Sequence, residues 1–160
     1  MKLAKSELKE MIREALREEL SLRENTNQSN LITKNIMNAL DKSKVAANRG
    51  KAHNILVTAS TAGRGIIATC HKWARENSVN IYVVDCRAME NLEAELKNFK
   101  SKAVIILDNY NRAHPKDRAQ LLRLIVERTH GQLFTVAITA PNSAPLTDAE
   151  VYRFNTVISA

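Results

Sequence analysis

Cysteine is scarce: only Cys70 and Cys86 occur in 160 residues. Two thiols cannot build a disulfide framework, and both fall in apolar stretches, so a reduced, cytoplasmic protein is expected. The Cys70-His71 pair has no second pair of ligands at zinc spacing, so no metal site is expected. His71 and His114 have no serine or cysteine partner in a recognisable arrangement, which removes support for nucleophilic catalysis. Long apolar runs are missing as well. None approaches the ~20 residues that span a bilayer, so no membrane is expected as a partner. The opening MKLAKSELKEMIREAL is charged every few residues and lacks a signal-peptide core. Aromatic residues make up 4% of the chain, and none lies in 25–53 to stack on nucleic-acid bases.

What remains is a globular composition, 44% hydrophobic and 26% charged, at a length that suggests one domain with a real core. The net charge of +7 is unevenly spread. Residues 1–24 hold six basic and six acidic side chains, whereas 25–53 hold five and one. The excess centres on KSKVAANRGK. It reads either as a solvated helix face or as a contact for nucleic acid or an acidic partner.

Apolar periodicity predicts a helix over 5–22, capped by Ser6, with Leu8, Met11, Ile12, Ala15, Leu16 and Leu20 in a narrow stripe. Such a stripe suits docking on a partner or on its own copy, or packing on the chain's own core. RENTNQSN (23–30) reads as a flexible linker. A second helix is expected over 30–48, stopped by the glycine of NRGK. The division is therefore 1–24 as a docking or oligomerisation helix, 25–52 as linker and second helix, and 53–160 as an α/β core.

From residue 53 the pattern alternates. Strands are expected over 53–60, 80–86, 102–110, 133–140 and 155–160. Helices are expected over 64–76, 91–99, 115–130 and 147–154. The strands are continuous Val- and Ile-rich runs, as in parallel sheets buried on both faces. The fold class is α/β, a doubly wound five-stranded parallel sheet. Ligands of such sheets sit at the carboxyl ends of strands. There stand Thr58–Gly65, Asp85, Asp108–Arg112 and Thr139–Asn142. Asp85 reads as a helix cap or turn former, and Trp73 and Tyr82 as core. Arg112 reads equally as a subunit contact or a surface side chain.

Three stretches carry a resemblance. VIILDNYNRAHPKDRAQLLRLIVER ends a strand on aspartate like a Walker B segment. It resembles the MoxR branch of the AAA+ P-loop ATPases, whose pattern is Asp-Glu-Ile-Asn-Arg-Ala-x-Pro, then a helix with Leu-Leu and a closing Glu-Arg. Asp108, Asn111, Arg112, Ala113, Pro115, Leu121, Leu122, Glu127 and Arg128 match. PLTDAEVYRF resembles the family's Pro-Leu-Pro-Glu-Ala-Gln-Leu-Asp-Arg-Phe through Pro145, Leu146, Ala149, Arg153 and Phe154. AITAPN resembles its sensor segment, with Thr139 or Asn142 as the sensor. The resemblance spans about 30–160. It implies a P-loop NTPase-like fold, ATP with magnesium as cofactor, packing of like subunits side by side, and Arg153 as an arginine finger on a neighbour's nucleotide.

The phosphate loop departs from the family. Against Gly-x-x-x-x-Gly-Lys-Ser/Thr, the loop at Thr58, Ser60, Thr61, Ala62, Gly63, Arg64 and Gly65 keeps the second glycine. It has Thr58 for the first glycine, Arg64 for lysine and Gly65 for the hydroxyl residue. Arginine is a planar fork and lysine a compact charge, and glycine offers magnesium no oxygen. Asn109 stands where the water-activating Glu belongs, and an amide is no general base. Small residues and a helix N-terminus still suit weak anion binding. The sequence is also expected to stop before the helical lid of the family. Hydrolysis at a useful rate is therefore not expected.

The leading reading is a degenerate AAA+-like protein that acts in assembly, as a homo-oligomer and through the helix 5–22. The start of the chain is weakly similar to some tailed-phage proteins, which implies phage origin and a virion-associated location. Two alternatives stay open: an ATP-binding AAA+ subunit with unusual motifs, hence an ATP hydrolase, and a nucleic-acid-binding protein that uses the basic connector.

Overall fold

The structure, a computed structural model, describes residues 4–59, 64–89, 94–95, 97 and 103–160. Lys5–Asn48 form one continuous helix, α1. The linker expected over 23–30 is therefore not a break. RENTNQSN is polar but contains neither Gly nor Pro, so nothing in it blocks the backbone ladder. Arg23 pairs with Glu19 one turn back at 2.6 Å, and the Thr26 hydroxyl donates to the Leu22 carbonyl at 2.9 Å. Extending a helix from an anchored half also needs no new nucleus. Ala4, not Ser6, is the N-cap residue, and Glu7 accepts its amide at 3.1 Å. Gly50, at φ +80°, ends the helix as expected.

The two halves of α1 differ. Described side chains from Ala4 to Leu31 are exposed, whereas Ile36, Ala39 and Leu40 are buried in the core. The second half, assigned from sequence to the connector, is thus part of the packed body. It lies on helix α2 (Arg64–Glu76) and across strands β4 (Phe134–Thr139) and β5 (Thr156–Ser159). Trp73 of α2 closes this contact: its indole N–H donates to Asp41 at 2.8 Å, and its ring meets Phe134 edge-on at 6.3 Å.

The other strands are β1 (Ile55–Thr58), β2 (Ile81–Asp85) and β3 (Val104–Asp108). Together they form a five-stranded sheet in the order β2-β3-β4-β1-β5, with every pairing parallel. A 3-10 turn (Tyr110–Arg112), helix α3 (Pro115–His130) and the short helix α4 (Asp148–Val151) complete the described elements. The helix expected over 91–99 falls mostly outside the described residues.

Alternation along the strands builds a core on each face. Ile55, Val57, Ile106, Val136 and Ile138 pack with α1 and α2 on one side. Leu56, Ile105, Leu107 and Ala137 pack with Leu121, Leu124 and Ile125 of α3 on the other. Trp73 is core, as expected, but Tyr82 is 38% exposed. It sits on the edge strand β2, where one flank has no neighbouring strand.

Two buried polar residues tie the amino-terminal end of the sheet together. Asn54 accepts the Thr135 amide at 2.9 Å and donates to Thr129 at 3.0 Å and to the Arg153 carbonyl at 3.3 Å. Arg128 donates to the Thr135 hydroxyl at 3.0 Å and to the Phe134 carbonyl at 2.9 Å. Burial pushes its pKa down to about 10, so it remains charged at neutral pH. No helix of the described residues is long and apolar enough to cross a membrane.

Candidate functional site

Parallel pairing lines up one polar residue at the carboxyl end of each strand. Asp85 is the register partner of Asp108, and Thr58 that of both Thr139 and Ser159. Read in sheet order, the edge is Asp85, Asp108, Thr139, Thr58 and Ser159. This edge brings together the expected site residues Thr58, Asp108, Asn109 and Thr139. Ser60, Thr61, Ala62 and Gly63 lie outside the described residues. Arg64 is the first residue of α2, so the loop does run from a strand into a helix N-terminus.

Asp108 is half-buried. Burial raises its carboxyl pKa, the Asn109 amide at 3.0 Å opposes that, and the charge of Asp85 adds to it. Asn109 itself is left-handed, at φ +53° and ψ +38°, a region Asn tolerates better than most residues. Its side-chain amide donates to Asp85 Oδ1 at 3.1 Å. Asp85 also holds Arg87, through a backbone bond at 3.1 Å and an ion pair at 2.8 Å. The Arg87 hydrogen bond, aided by the Asn109 amide and opposed by burial, lowers the Asp85 pKa to about 2. Asp85 is thus the expected turn former and also the anchor of Asn109. Arg87 escaped the sequence reading, as did this cluster, because only the β2–β3 register brings Asn109 to Asp85.

Asn111 is buried and clamps β3 to β4. Its Oδ1 accepts the Ala140 amide at 2.7 Å, and its Nδ2 donates to the Ala140 carbonyl at 3.1 Å. Arg112 donates to Ser143 at 2.9 Å and to the Pro141 carbonyl at 3.3 Å. The Asn-Arg pair therefore braces the loop after β4 within the chain. Asn142 sits on that loop, exposed, at φ +55°. Thr139 is buried below it. At Gly65, a Cβ would meet no described atom within 4 Å. Neither space nor a positive φ demands glycine there.

Arg153 lies at the other end of the sheet, next to Asn155, whose amide donates to the Asn54 carbonyl just before β1. Its side chain is exposed and borders a cleft of about 380 Å³ with Leu122, Arg123 and Val126 of α3. Within one chain it is remote from Asp108. A partly buried pair supports its segment: Glu150 of α4 forms an ion pair with Arg118 of α3. Burial raises the Glu150 pKa, but the Thr147 amide and Arg118 outweigh this and hold it below the usual value.

No protein-family model and no curated protein matches the sequence. Solved structures do match. The Thermotoga maritima RuvB Holliday junction branch migration motor aligns at TM-score 0.59 and 20% identity, over 82% of this chain and 44% of its own. Caenorhabditis elegans PCH-2 aligns at TM-score 0.56 and 12% identity, over 83% and 42%. The chain has the AAA+ P-loop ATPase fold. A Drosophila ORC structure bound to GC-rich DNA shares it at TM-score 0.54 and 14% identity, over 86% of this chain and 59% of its own. The chain spans less than half the length of the RuvB chains it matches. Asp108 and Arg153 thus lie at opposite ends of the sheet.

Proposed function

We propose that this chain is a degenerate AAA+-like subunit that acts by assembly and does not turn over ATP. One observation carries the reading. Asn109, at the water-activating position, is a neutral amide whose side chain is engaged with Asp85 at 3.1 Å. It has no proton-accepting group of suitable basicity and points at a neighbouring strand end. Losing a positioned acid/base group typically costs ~10²–10⁴ in rate. Gly65 adds to this, since it brings no oxygen to a magnesium ion at a position with room for a side chain. The residues present therefore fit magnesium-ATP poorly. The sequence resemblances to the MoxR branch and to tailed-phage proteins support an assembly role and a phage origin as parts of the same proposal. The exposed first half of α1 supplies an assembly surface.

Phosphate release and thermal melting test the reading. The purified chain is expected to release no phosphate above background and to melt at the same temperature with and without millimolar magnesium-ATP. A ligand at 100 times its Kd would add ~2.7 kcal/mol of stability. Magnesium-dependent turnover that Asp108→Asn abolishes would overturn the proposal.

A further inference from the structure

The excess of cations in 25–53 has no aromatic side chain beside it in the sequence. Folding supplies one from the far end of the chain. Tyr152, just after α4, is 86% exposed, more than any other large apolar side chain among the described residues. It lines a cleft of about 210 Å³ with Ala52, His130 and Arg153. A second cleft, of about 690 Å³, is lined by Val45, Arg49, Lys51 and His53. The segment 51–54 separates the two, with Lys51 and His53 on one cleft and Ala52 and Asn54 on the other. Both clefts open where α1 and α3 end and where β1 and β5 begin.

We infer that this edge binds single-stranded nucleic acid, with Tyr152 stacked on a base and Arg49, Lys51 and Arg153 on the phosphates beside it. Among the described residues, these three cations are exposed and enter no ion pair or side-chain hydrogen bond. Asp41 is the one carboxylate that lines either cleft among the described residues, and it is engaged by the Trp73 indole at 2.8 Å. The carbonyl ends of α1 and α3 take up part of the positive charge nearby. Lys51 and Arg153 stand off both helices and are left for an external anion. A strand laid across 51–54 passes from Arg49 and Lys51 to Tyr152 and Arg153. Cations that track a backbone beside an exposed aromatic ring are what an unpaired strand needs. A duplex keeps its base faces stacked on one another and offers none to Tyr152. An acidic peptide would use the cations but bring no flat face to the ring. The inference is separate from the assembly reading and from the carboxyl edge of the sheet.

The test uses the full chain and a fluorescein-labelled oligothymidylate of about 15 nucleotides, within the span of single-strand sites, read by anisotropy. Binding is expected, with log affinity falling against log salt at a slope of about −2, as three phosphate contacts on a single strand require. Tyr152→Ala is expected to weaken binding roughly tenfold at an unchanged slope, and Tyr152→Phe to keep it. Combined Arg49→Ala and Lys51→Ala is expected to flatten the slope to about −0.7. All three positions are exposed, and an unchanged melting temperature checks that each variant folds. No binding at about 100 µM chain in low salt overturns the inference, since even non-specific sites reach ~10⁻⁴–10⁻⁶ M. Binding that Tyr152→Ala leaves intact overturns the stacking and places the nucleic acid elsewhere. A duplex of the same length that binds more tightly removes the single strand as ligand. A glutamate oligomer of equal charge that binds as tightly, with no loss in Tyr152→Ala, makes the edge a site for acidic peptides, and the inference falls.

Discussion

Replacing Asn111 by Ala removes the clamp between the ends of β3 and β4. Two backbone groups of Ala140 lose their partner: the N–H that meets Asn111 Oδ1 at 2.7 Å and the carbonyl that meets Nδ2 at 3.1 Å. Both Asn111 and Ala140 are buried. A buried unsatisfied polar group costs about 1–3 kcal/mol, so the pair amounts to about 3 kcal/mol. The third bond, to the Ala144 carbonyl at 3.4 Å, is long and adds little. With a urea slope near 2 kcal/mol per molar, the unfolding midpoint falls by about 1.5 M. Amide exchange at Ala140 is expected to accelerate while the centre of β1 stays protected. Asn111→Asp separates the two groups. Its carboxylate still accepts the amide but cannot donate to the carbonyl, so it stays destabilised at neutral pH. Its deficit relative to the wild type should shrink in acid, where the protonated side chain donates. A midpoint shift below about 0.3 M for Asn111→Ala would refute the clamp as a source of stability.

Three further outcomes are expected. Glu150 has a depressed folded pKa against 4.5 when unfolded, so its stabilisation is complete above 4.5 and is lost as pH falls through the folded value. Between pH 6 and 3 the wild type should lose more melting temperature than Glu150→Gln, which costs about 2–4 kcal/mol at pH 7; parallel curves would contradict the pairing with Arg118. Burial pushes the Cys70 and Cys86 thiols up to about 12, which makes thiolate at pH 8 roughly a thousandfold rarer than for an ordinary cysteine. Ellman's reagent should then label the protein only after denaturation, and rapid native labelling would show the core to be open. Asp41→Ala removes the acceptor of the Trp73 indole at 2.8 Å. It should cost about 1 kcal/mol and change the emission of the single tryptophan; an unchanged spectrum would place the indole elsewhere.

The sheet was legible because its strands are uninterrupted apolar runs, and that pattern survives any detail of packing. Helix α2 was bounded from sequence at both ends, 64 and 76, as the structure has it. The error at 23–30 has a physical origin. Polarity was read as a break, yet polarity says only that no face is buried, and a helix with an anchored end needs no burial to continue. Tyr82 was misplaced because apolar periodicity cannot tell a central strand from an edge. The Asn54 and Glu150 networks were missed for a different reason. Their partners lie up to 101 residues away in sequence and become neighbours only in the folded chain. At the carboxyl edge, the residue types at Asp108, Asn109 and Thr139 were legible. The engagement of Asn109 by Asp85 required the β2–β3 register.

The unbroken run of α1 has a consequence for how its exposed half is aimed. A flexible tether would let the body swing freely behind that segment. A rigid rod of 44 residues, about 66 Å long, works instead like a keyed shaft. The bearing of the exposed apolar stripe about the helix axis is locked to the bearing of the sheet. One residue inserted between 23 and 30 turns the two by about 100° and shifts them by ~1.5 Å. Seven residues bring the stripe back to within about 20° of its original bearing while lengthening the shaft by ~10 Å. The count of residues between stripe and sheet, in a stretch whose described side chains are all exposed, thus sets the direction in which the stripe faces.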